Sequence, residues 1–480
     1  MRTQKLALPC LISLLGLFSS CSGSQEKQQL PEQANILFIA VDDLRPELAC
    51  YGISHIESPN IDRLAAQGTR FDRSYCNIPV CGASRASLMT GLRPARNRFL
   101  TYYTWADKDA PGISTLPKHF RDHGYTTISN GKIFHHDTDA SDSWDEIWHP
   151  KSNSSSWRDY VLTENIEADT SDSSRGAPVE RADVEDNVYK DGKTAEKVIQ
   201  DLRKLKEAGK PFFLAAGFLK PHLPFNAPEK YWEIYDDKVT LPDNNYPPEN
   251  APGESLHTFG ELRAYAGVPE KGPVSDEMAL DLIHGYYACV SYTDAQVGLI
   301  LNALEELDLE ENTIVILWGD HGWNLREHGL WCKHCNYETS LHTPLILKVP
   351  GTKQVKSTSE IVEYVDIYPT LCELAGLELP VHLQGRSFRN LLFDPSAQSD
   401  GVAICQWYAG ITIIRDTYFY TEWVNDEDQE YARMLYDHSL DPDENVNISE
   451  RGENQEIIRE LSDEMRLSRA ENYFREPGED

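Results

Sequence analysis

The chain has 480 residues, 40% hydrophobic and 10% aromatic, an ordinary globular composition. This length allows one large core or two domains. Seventy-seven acidic against 45 basic residues leave a formal net charge of −32. Such a surface repels nucleic acid and anionic membranes at long range, so nucleic acid is excluded as a partner, and any polyanionic ligand needs a local basic pocket or screening salt.

At the N-terminus Arg2 and Lys5 precede a mostly apolar stretch, Leu6 to Phe18, too short to span a bilayer comfortably. It ends in Ser19-Ser20-Cys21 and then turns polar, which resembles a bacterial lipoprotein signal. Residues 1–20 are expected to be a signal peptide, Cys21 the lipidated residue and 21–33 a linker; plain signal cleavage is the rival. The protein is then exported, to the periplasm or to the outer membrane or cell surface of a bacterium, and touches membrane only through a lipid anchor. Eight of the ten cysteines lie beyond this signal at irregular spacing in a long chain, which is no disulfide scaffold. Cys332-Lys-His-Cys335 lacks a second such pair and is expected to be a local disulfide or two quiet thiols rather than a metal site.

Short apolar runs predict buried parallel strands at Asn35–Val41, Tyr125–Ser129, Phe212–Phe218, Thr313–Trp318 and Leu345–Val349. Helical patterns fall between them at Asn60–Gln67, Thr194–Lys206, Glu277–Leu307 and Asp366–Ala375. Strands alternating with helices argue for an α/β sheet covered on both faces. Two long polar stretches interrupt the pattern, Asp137–Asp191 and Thr240–Ser275, and at least one is expected to shape a substrate pocket. The character changes near Pro395. Gly401–Glu422 alternates with aromatics and Asn454–Tyr473 reads as a terminal helix, so 34–395 is taken as the catalytic domain and 396–480 as a smaller α+β subdomain with an antiparallel sheet.

In an open α/β sheet, ligands bind beyond the carboxyl ends of the strands. The polar groups of this chain fall there repeatedly: Asp42-Asp43 after the first strand, Lys132 and His135 after the second, Lys220 and His222 after the third, Asp320-His321 after the fourth. Two carboxylates 4 Å apart repel by about 4 kcal/mol at an effective dielectric of about 20, and a cation removes that cost. Carboxylate oxygens at Asp42, Asp43 and Asp320 suit Ca²⁺ or Mg²⁺. Arg85, Lys132, Lys220 and Lys333 could form an oxyanion clamp, and His135 and His222 could move protons near neutral pH. Pro79-Val80-Cys81-Gly82-Ala83-Ser84-Arg85 places a Cys at the start of a short helix with an Arg one turn on. A helix N-terminus favours an anion and lowers a thiol's pKa, so these residues alone point to a thiolate nucleophile.

That segment, continued to Ala86-Ser87-Leu88-Met89-Thr90-Gly91, resembles the signature of type I sulfatases, in which the Cys is oxidised to formylglycine. Gly124–His135 resembles the second signature of that family. Val41-Asp-Asp-Leu-Arg-Pro-Glu-Leu, Lys220-Pro-His-Leu-Pro-Phe and Asp320-His-Gly-Trp…Glu327-His-Gly…Lys333 look most like its iduronate-2-sulfatase branch, and Val365-Asp-Ile-Tyr-Pro-Thr-Leu and Leu435-Tyr-Asp…Asp441-Pro resemble later landmarks. Two positions depart from the pattern: Ala83 stands where the family usually has Pro, a position that maturation enzymes read, and Asn130 where it has a small or branched apolar residue.

The resemblance implies an alkaline-phosphatase-like sandwich, with a mixed, mostly parallel sheet between helices, and hydrolysis of sulfate esters. It implies one Ca²⁺ per chain held by Asp42, Asp43, Asp320, His321 and modified Cys81, with His321 where many sulfatases have Asn. On the same mapping Arg85 and Lys132 stabilise the formylglycine hydrate, and His135 takes the proton that triggers sulfate release. His222 and Lys333 bind sulfate and assist the leaving oxygen, Asp320 also polarises the attacking hydroxyl, and Lys220 is an auxiliary charge behind the site. The implied partners are a sulfated sugar, with uronic acid 2-sulfate one candidate, and a formylglycine-generating maturation enzyme. The rival readings are a phosphoester or phosphonate hydrolase of the same superfamily, and a surface protein that only binds glycans.

Overall fold

All seven residues of Asn35–Val41 (β1) are buried, which is why the run is apolar without alternation. The computed structural model describes residues 33–473 apart from 171–173, 426 and 428, so the expected signal peptide, Cys21 and nearly all of the linker lie outside the described residues. Around β1 gather Thr69–Phe71 (β2), Thr126–Gly131 (β3), Glu146–Trp148 (β4), Phe212–Phe218 (β5), Thr313–Gly319 (β6), Leu345–Lys348 (β7) and Ser357–Thr358 (β8). Their order is β8-β2-β7-β6-β1-β5-β3-β4. All run one way except β7, which pairs antiparallel with β2 and β6. The parallel direction expected for that strand is thus corrected: a strand buried on both faces is equally apolar in either direction, so its composition carries no orientation.

Alternate side chains of the central strands enter two cores. Ile36, Phe38, Phe213, Ile314 and Trp318 face one, with Leu88 and Met89 of helix Cys81–Thr90 and Ile367 and Leu371 of helix Ile367–Leu374. Leu37, Ile39, Val41, Leu214 and Leu317 face the other, with helices Pro59–Gln67, Lys190–Ala208 and Asp276–Glu306. Local chemistry sets the helix starts. The Ser275 hydroxyl accepts the Met278 N–H to open the longest helix. The Asp294 carboxylate on that helix accepts the N–H groups of Asn60 and Ile61, capping Pro59–Gln67 from outside.

Beyond the main sheet, strands Val402–Trp407, Gly410–Arg415, Tyr418–Val424 and Glu430–Asp437 form an antiparallel meander. One face, with Ile414, Phe419 and Tyr436, joins the first core. The other, with Ile413, Tyr420 and Leu435, packs on Ile458, Leu461 and Met465 of helix Gln455–Tyr473. Among the described residues no helix is long and apolar enough to cross a membrane.

Candidate active site

Strands β6, β1, β5 and β3 are neighbours and parallel, so their carboxyl ends share one edge of the sheet. Val41 pairs with both Gly319 and Phe218, which sets Asp42 and Asp320 side by side. Close backbone approach at this edge needs glycine: a Cβ on Gly217 would lie 2.1 Å from the Lys132 carbonyl oxygen, and one on Gly131, at φ 74°, would lie 2.1 Å from that of Gly217. Those contacts let Lys132 leave β3 directly over the site. Asp43 adopts a left-handed φ of 59°, a strained conformation for a residue with a side chain. Its N–H donates to Asp320 Oδ1 at 2.9 Å and its carbonyl accepts from Tyr286 Oη at 2.8 Å.

Arg85 is fully buried and ties the acids together. Its Nε donates to Asp320 Oδ2 at 2.8 Å, one terminal nitrogen reaches Asp42 Oδ1 at 3.2 Å, and the other donates to the carbonyls of Lys132 and Ile133. Lys132 Nζ pairs with Asp42 Oδ2. Burial opposes ionisation of Asp42, but Lys132, His222 and Arg85 more than offset it and hold the carboxyl well below its ordinary range. At Asp43 the balance reverses. Burial, with Asp42, Glu261 and Asp320 nearby, raises its pKa well above normal despite the Lys333 ammonium.

His321 tests whether a cation fits here. Its Nδ1 lies 2.9 Å from the Gly322 carbonyl, which can only accept, so Nδ1 carries the hydrogen. Burial lowers the ring's pKa and favours the neutral form. The Nε2 lone pair then faces Cys81 Sγ at 3.2 Å, Asp43 Oδ1 at 3.3 Å and Asp320 Oδ1 at 3.6 Å. A lone pair turned toward carboxylate oxygens repels them unless a proton or a cation lies between. Asp42, Asp43, Cys81 and His222 offer ligand atoms within 4.8 Å of one another, as do Cys81, Asp320 and His321. The donors present therefore fit a divalent cation. Three of these six donors are carboxylates, two are imidazoles and one is a thiol.

Cys81 is the first residue of its helix, and Arg85 follows one turn on. The thiolate expected from that position is corrected by the structure. Burial and the carboxylates of Asp42 and Asp320 raise the thiol's pKa well above normal, and Lys132 and Lys333 do not reverse this. A helix N-terminus contributes about 0.3–1 kcal/mol at a surface, too little against a buried site lined with acids. Ala83 lies in the same first turn, where no intrahelical acceptor awaits its N–H, so the Ala-for-Pro difference leaves the helix intact.

The sulfatase family profile matches residues 34–377. The chain belongs to the sulfatase family. It is a sulfuric ester hydrolase. Residues 326–471 match the profile described as N-sulphoglucosamine sulphohydrolase, C-terminal. Iduronate 2-sulfatase of Mus musculus is 33% identical over 76% of this chain and 73% of its own length. A sulfatase of Formosa agariphila is 29% identical over 90% and 87%. Among solved structures, one in complex with its substrate D-glucosamine-2-N,6-O-disulfate shares the fold at TM-score 0.73 and 22% identity, covering 93% of this chain and 99% of that one. The phosphonate monoester hydrolase of Agrobacterium radiobacter shares it at TM-score 0.74 and 21% identity, covering 92% and 96%.

Within this sulfatase the site residues singled out in the sequence, Lys220 excepted, gather at the one strand edge, and a pocket of about 940 Å³ opens over Cys81, Lys132, His135, His222 and Lys333. His135 Nδ1 is buried without a partner, and burial with Lys132 alongside pushes the ring's pKa down to about 2. Lys333 Nζ lies 3.2 Å from Asp43 Oδ2 and over the face of Trp323. Lys220 is buried away from the pocket and donates to the carbonyls of His222 and Pro224, which shapes the turn that presents His222. Asn130 packs sideways, donating to Asp201 at 2.9 Å. Cys332 and Cys335 are both free buried thiols, so of the two alternatives the sequence left open the local disulfide is not formed. Arg45 joins Glu47 and Glu327, cross-linking two of the family motifs behind the acids.

Sequence reasoning missed the pocket walls. Glu261, from the second polar stretch, meets Lys333 at 2.9 Å and His222 at 3.2 Å. Trp157, from the first, sets its ring against His222 with centroids 5.2 Å apart. Tyr102 and Tyr103 line the opposite side. The Tyr102 backbone packs on Gly82, where a Cβ would lie 2.6 Å from the Tyr102 carbonyl. Length and polarity marked the two stretches as pocket-forming. Nothing in their local pattern marked Glu261 or Trp157.

Proposed function

We propose that this sulfatase removes sulfate from a sulfated sugar, by a formylglycine hydrate made from Cys81 and with one bound Ca²⁺. The observation that carries this reading is the His321 ring, whose lone pair faces Cys81, Asp43 and Asp320 in a site where Asp43 resists ionisation. A cation relieves both problems, whereas the Cys81 thiol can give its hydrogen to the lone pair but leaves the crowded carboxylates uncompensated. Asp42, Asp43, Asp320 and His321 would hold the metal, which supplies positive charge to the sulfate oxygens. The hydrate supplies an oxygen nucleophile and a route to expel sulfate by reforming the carbonyl.

The chain's own residues do the rest. Arg85 and Lys132 place positive charge beside residue 81 and hold the hydrate's oxygens. Asp320, fixed by Arg85, orients the attacking hydroxyl. His135, with Nδ1 unpartnered and facing the pocket, is the residue placed to accept the proton whose loss releases sulfate. His222 and Lys333 bind the sulfate and meet the departing alcohol oxygen.

The sugar is supported by the walls. Aromatic faces at Tyr102, Tyr103, Trp105 and Trp157 alternate with Arg175, Lys190 and His149 around a pocket near the upper end of the ~300–1,000 Å³ usual for small ligands. Arg175 and Lys190, with Lys132 and Lys333 below them, also place basic groups in the pocket, which a net charge of −32 makes necessary for an anionic substrate. A uronic acid 2-sulfate is the first candidate, since the mammalian relative is named an iduronate 2-sulfatase. Export on a lipoprotein signal with Cys21 lipidated, and maturation of Cys81 by a dedicated enzyme despite Ala83, complete the reading. The test has two parts: mass spectrometry of the peptide 74–85 from native-host protein, then turnover of sulfated uronates, sulfated hexosamines and matched phosphate and phosphonate esters. Conversion of Cys81 with sulfated sugars turned over fastest is expected. Unmodified Cys81 in active protein, or preference for phosphate or phosphonate, defeats the proposal.

A further inference from the structure

Glu261 enters the pocket from a loop, the second polar stretch, rather than from a strand end, and it meets Lys333 and His222 there. Its presentation is built. Gly260–Arg263 forms a short helical turn within the second polar stretch. Arg263 staples that stretch by donating to the carbonyls of Thr258, Pro269 and Gly272 while its guanidinium stacks on Phe259. Arg175, across the pocket wall, reaches the Glu261 carbonyl at 3.4 Å. The carboxylate so placed is bridging. Oε1 lies 3.0 Å from Lys333 Nζ and 3.2 Å from His222 Nε2, and Oε2 lies 2.9 Å from Lys333 Nζ.

A carboxylate against the sulfate-binding cation and its neighbour is at first sight an obstacle to an anionic substrate. The Asp43 contacts explain its use. Lys333 Nζ also lies 3.3 and 3.2 Å from the two Asp43 oxygens. Without Glu261, Lys333 would be drawn onto Asp43, and His222 would keep the hydrogen bond of its Nδ1 to Leu223, the edge of Trp157 and a more distant Asp43 oxygen at 3.9 Å. Glu261 pulls Lys333 toward the pocket and sets it beside His222. Burial by itself would raise the Glu261 pKa, but Lys333, His222 and His334 lower it strongly, so the group is anionic and able to do this.

We propose that Glu261 is a positioning residue that holds Lys333, beside His222, as the donor on the departing alcohol oxygen. This rests on the reading of Lys333 and His222 given above. The His222 Nδ1 faces the Leu223 carbonyl and burial with Lys333 alongside favours the neutral ring, so the proton comes from Lys333. In that step the S–O ester bond breaks, its electron pair stays on the alcohol oxygen, that oxygen takes a proton from Lys333, and Lys333 regains it from water. An alkyl alcohol is a poor leaving group and needs the proton. An activated phenol leaves as the anion and does not.

The experiment compares kcat for a sulfated sugar and for 4-nitrophenyl sulfate in the wild type and in Glu261→Gln, Glu261→Asp, Lys333→Ala and His222→Ala, each checked for Cys81 conversion by mass spectrometry. In Glu261→Gln the sugar rate is expected to fall about 100-fold, the lower end for general-acid assistance, and the aryl rate no more than about threefold. Glu261→Asp should recover part of the sugar rate. Equal losses on both substrates, or no loss on either, would overturn the proposal. If Lys333→Ala itself shows no dependence on the leaving group, the underlying reading of the donor fails instead, a different outcome from failure of Glu261 alone.

Discussion

The floor of the pocket and its walls are built on different principles. The floor is made of residues one to four positions beyond adjacent parallel strands, held by backbone register and by buried ion pairs through Arg85. The walls come from two loops of the catalytic region and the Phe99–Trp105 segment, and they hold their aromatics part-exposed: Tyr103 is 68% exposed and Trp157 39%, against 0% for Asp42, Asp43 and Asp320. A rigid, desolvated floor suits bond breaking, where charge must be pre-placed. An adaptable, solvated wall suits discrimination between substrates. Floor changes should therefore act on kcat for every substrate, and wall changes on KM for some.

The sharpest break is at the floor. Cys81→Ala should lower kcat at least about 10⁴-fold on sugar and aryl sulfates alike, with the far-ultraviolet spectrum unchanged. A residual rate near wild type would show that residue 81 is not the nucleophile. Next comes the metal. Dialysis against a chelator should reduce turnover by at least about 10²-fold, with Ca²⁺ restoring it. The melting temperature should fall as well, because a ligand at 100 times its Kd stabilises the fold by about 2.7 kcal/mol. A metal-free protein with unchanged melting and rate would break the comparison at its floor.

The wall effects are smaller and divided by substrate. Trp157→Ala should raise KM for a sulfated sugar roughly tenfold while leaving kcat within about threefold, since one aromatic contact contributes on the order of 1 kcal/mol. A loss confined to kcat would place Trp157 in the floor. The smallest effect belongs behind the site. Asn130→Val should leave KM unchanged and cost about 1–3 kcal/mol of stability, because buried Asp201 loses one donor while keeping Lys197. Denaturant melts measure this directly.

The same division explains what could be read in advance. Asp42, Asp43, Lys132, His222, Asp320 and His321 were legible because each follows an apolar run that only a buried strand explains, and strand ends of a parallel sheet converge. Helix Cys81–Thr90 was legible from its small residues and closing Gly91. Short strands such as Thr69–Phe71 and Ser357–Thr358 were not, because two or three residues carry no periodicity. Strand Glu430–Asp437 begins with exposed polar residues, so the antiparallel sheet extends past the Gly401–Glu422 pattern that announced it.

What the sequence by itself determined is the fold class and which strand-end residues gather at the floor, because burial on both faces of a strand and the residue following it are local facts. Three matters were decided only by tertiary structure. The Cys81 thiol is suppressed rather than activated, since its carboxylate neighbours come from strands about 40 and 240 positions away and outweigh the helix terminus. The direction of Leu345–Lys348 depends on which strands it pairs with. The partnership of Glu261 with Lys333 and His222 joins positions 39 and 72 residues apart through a loop whose shape is set by Arg263. Distances between charges belong to the folded chain, and the chemistry of a desolvated site depends on those distances.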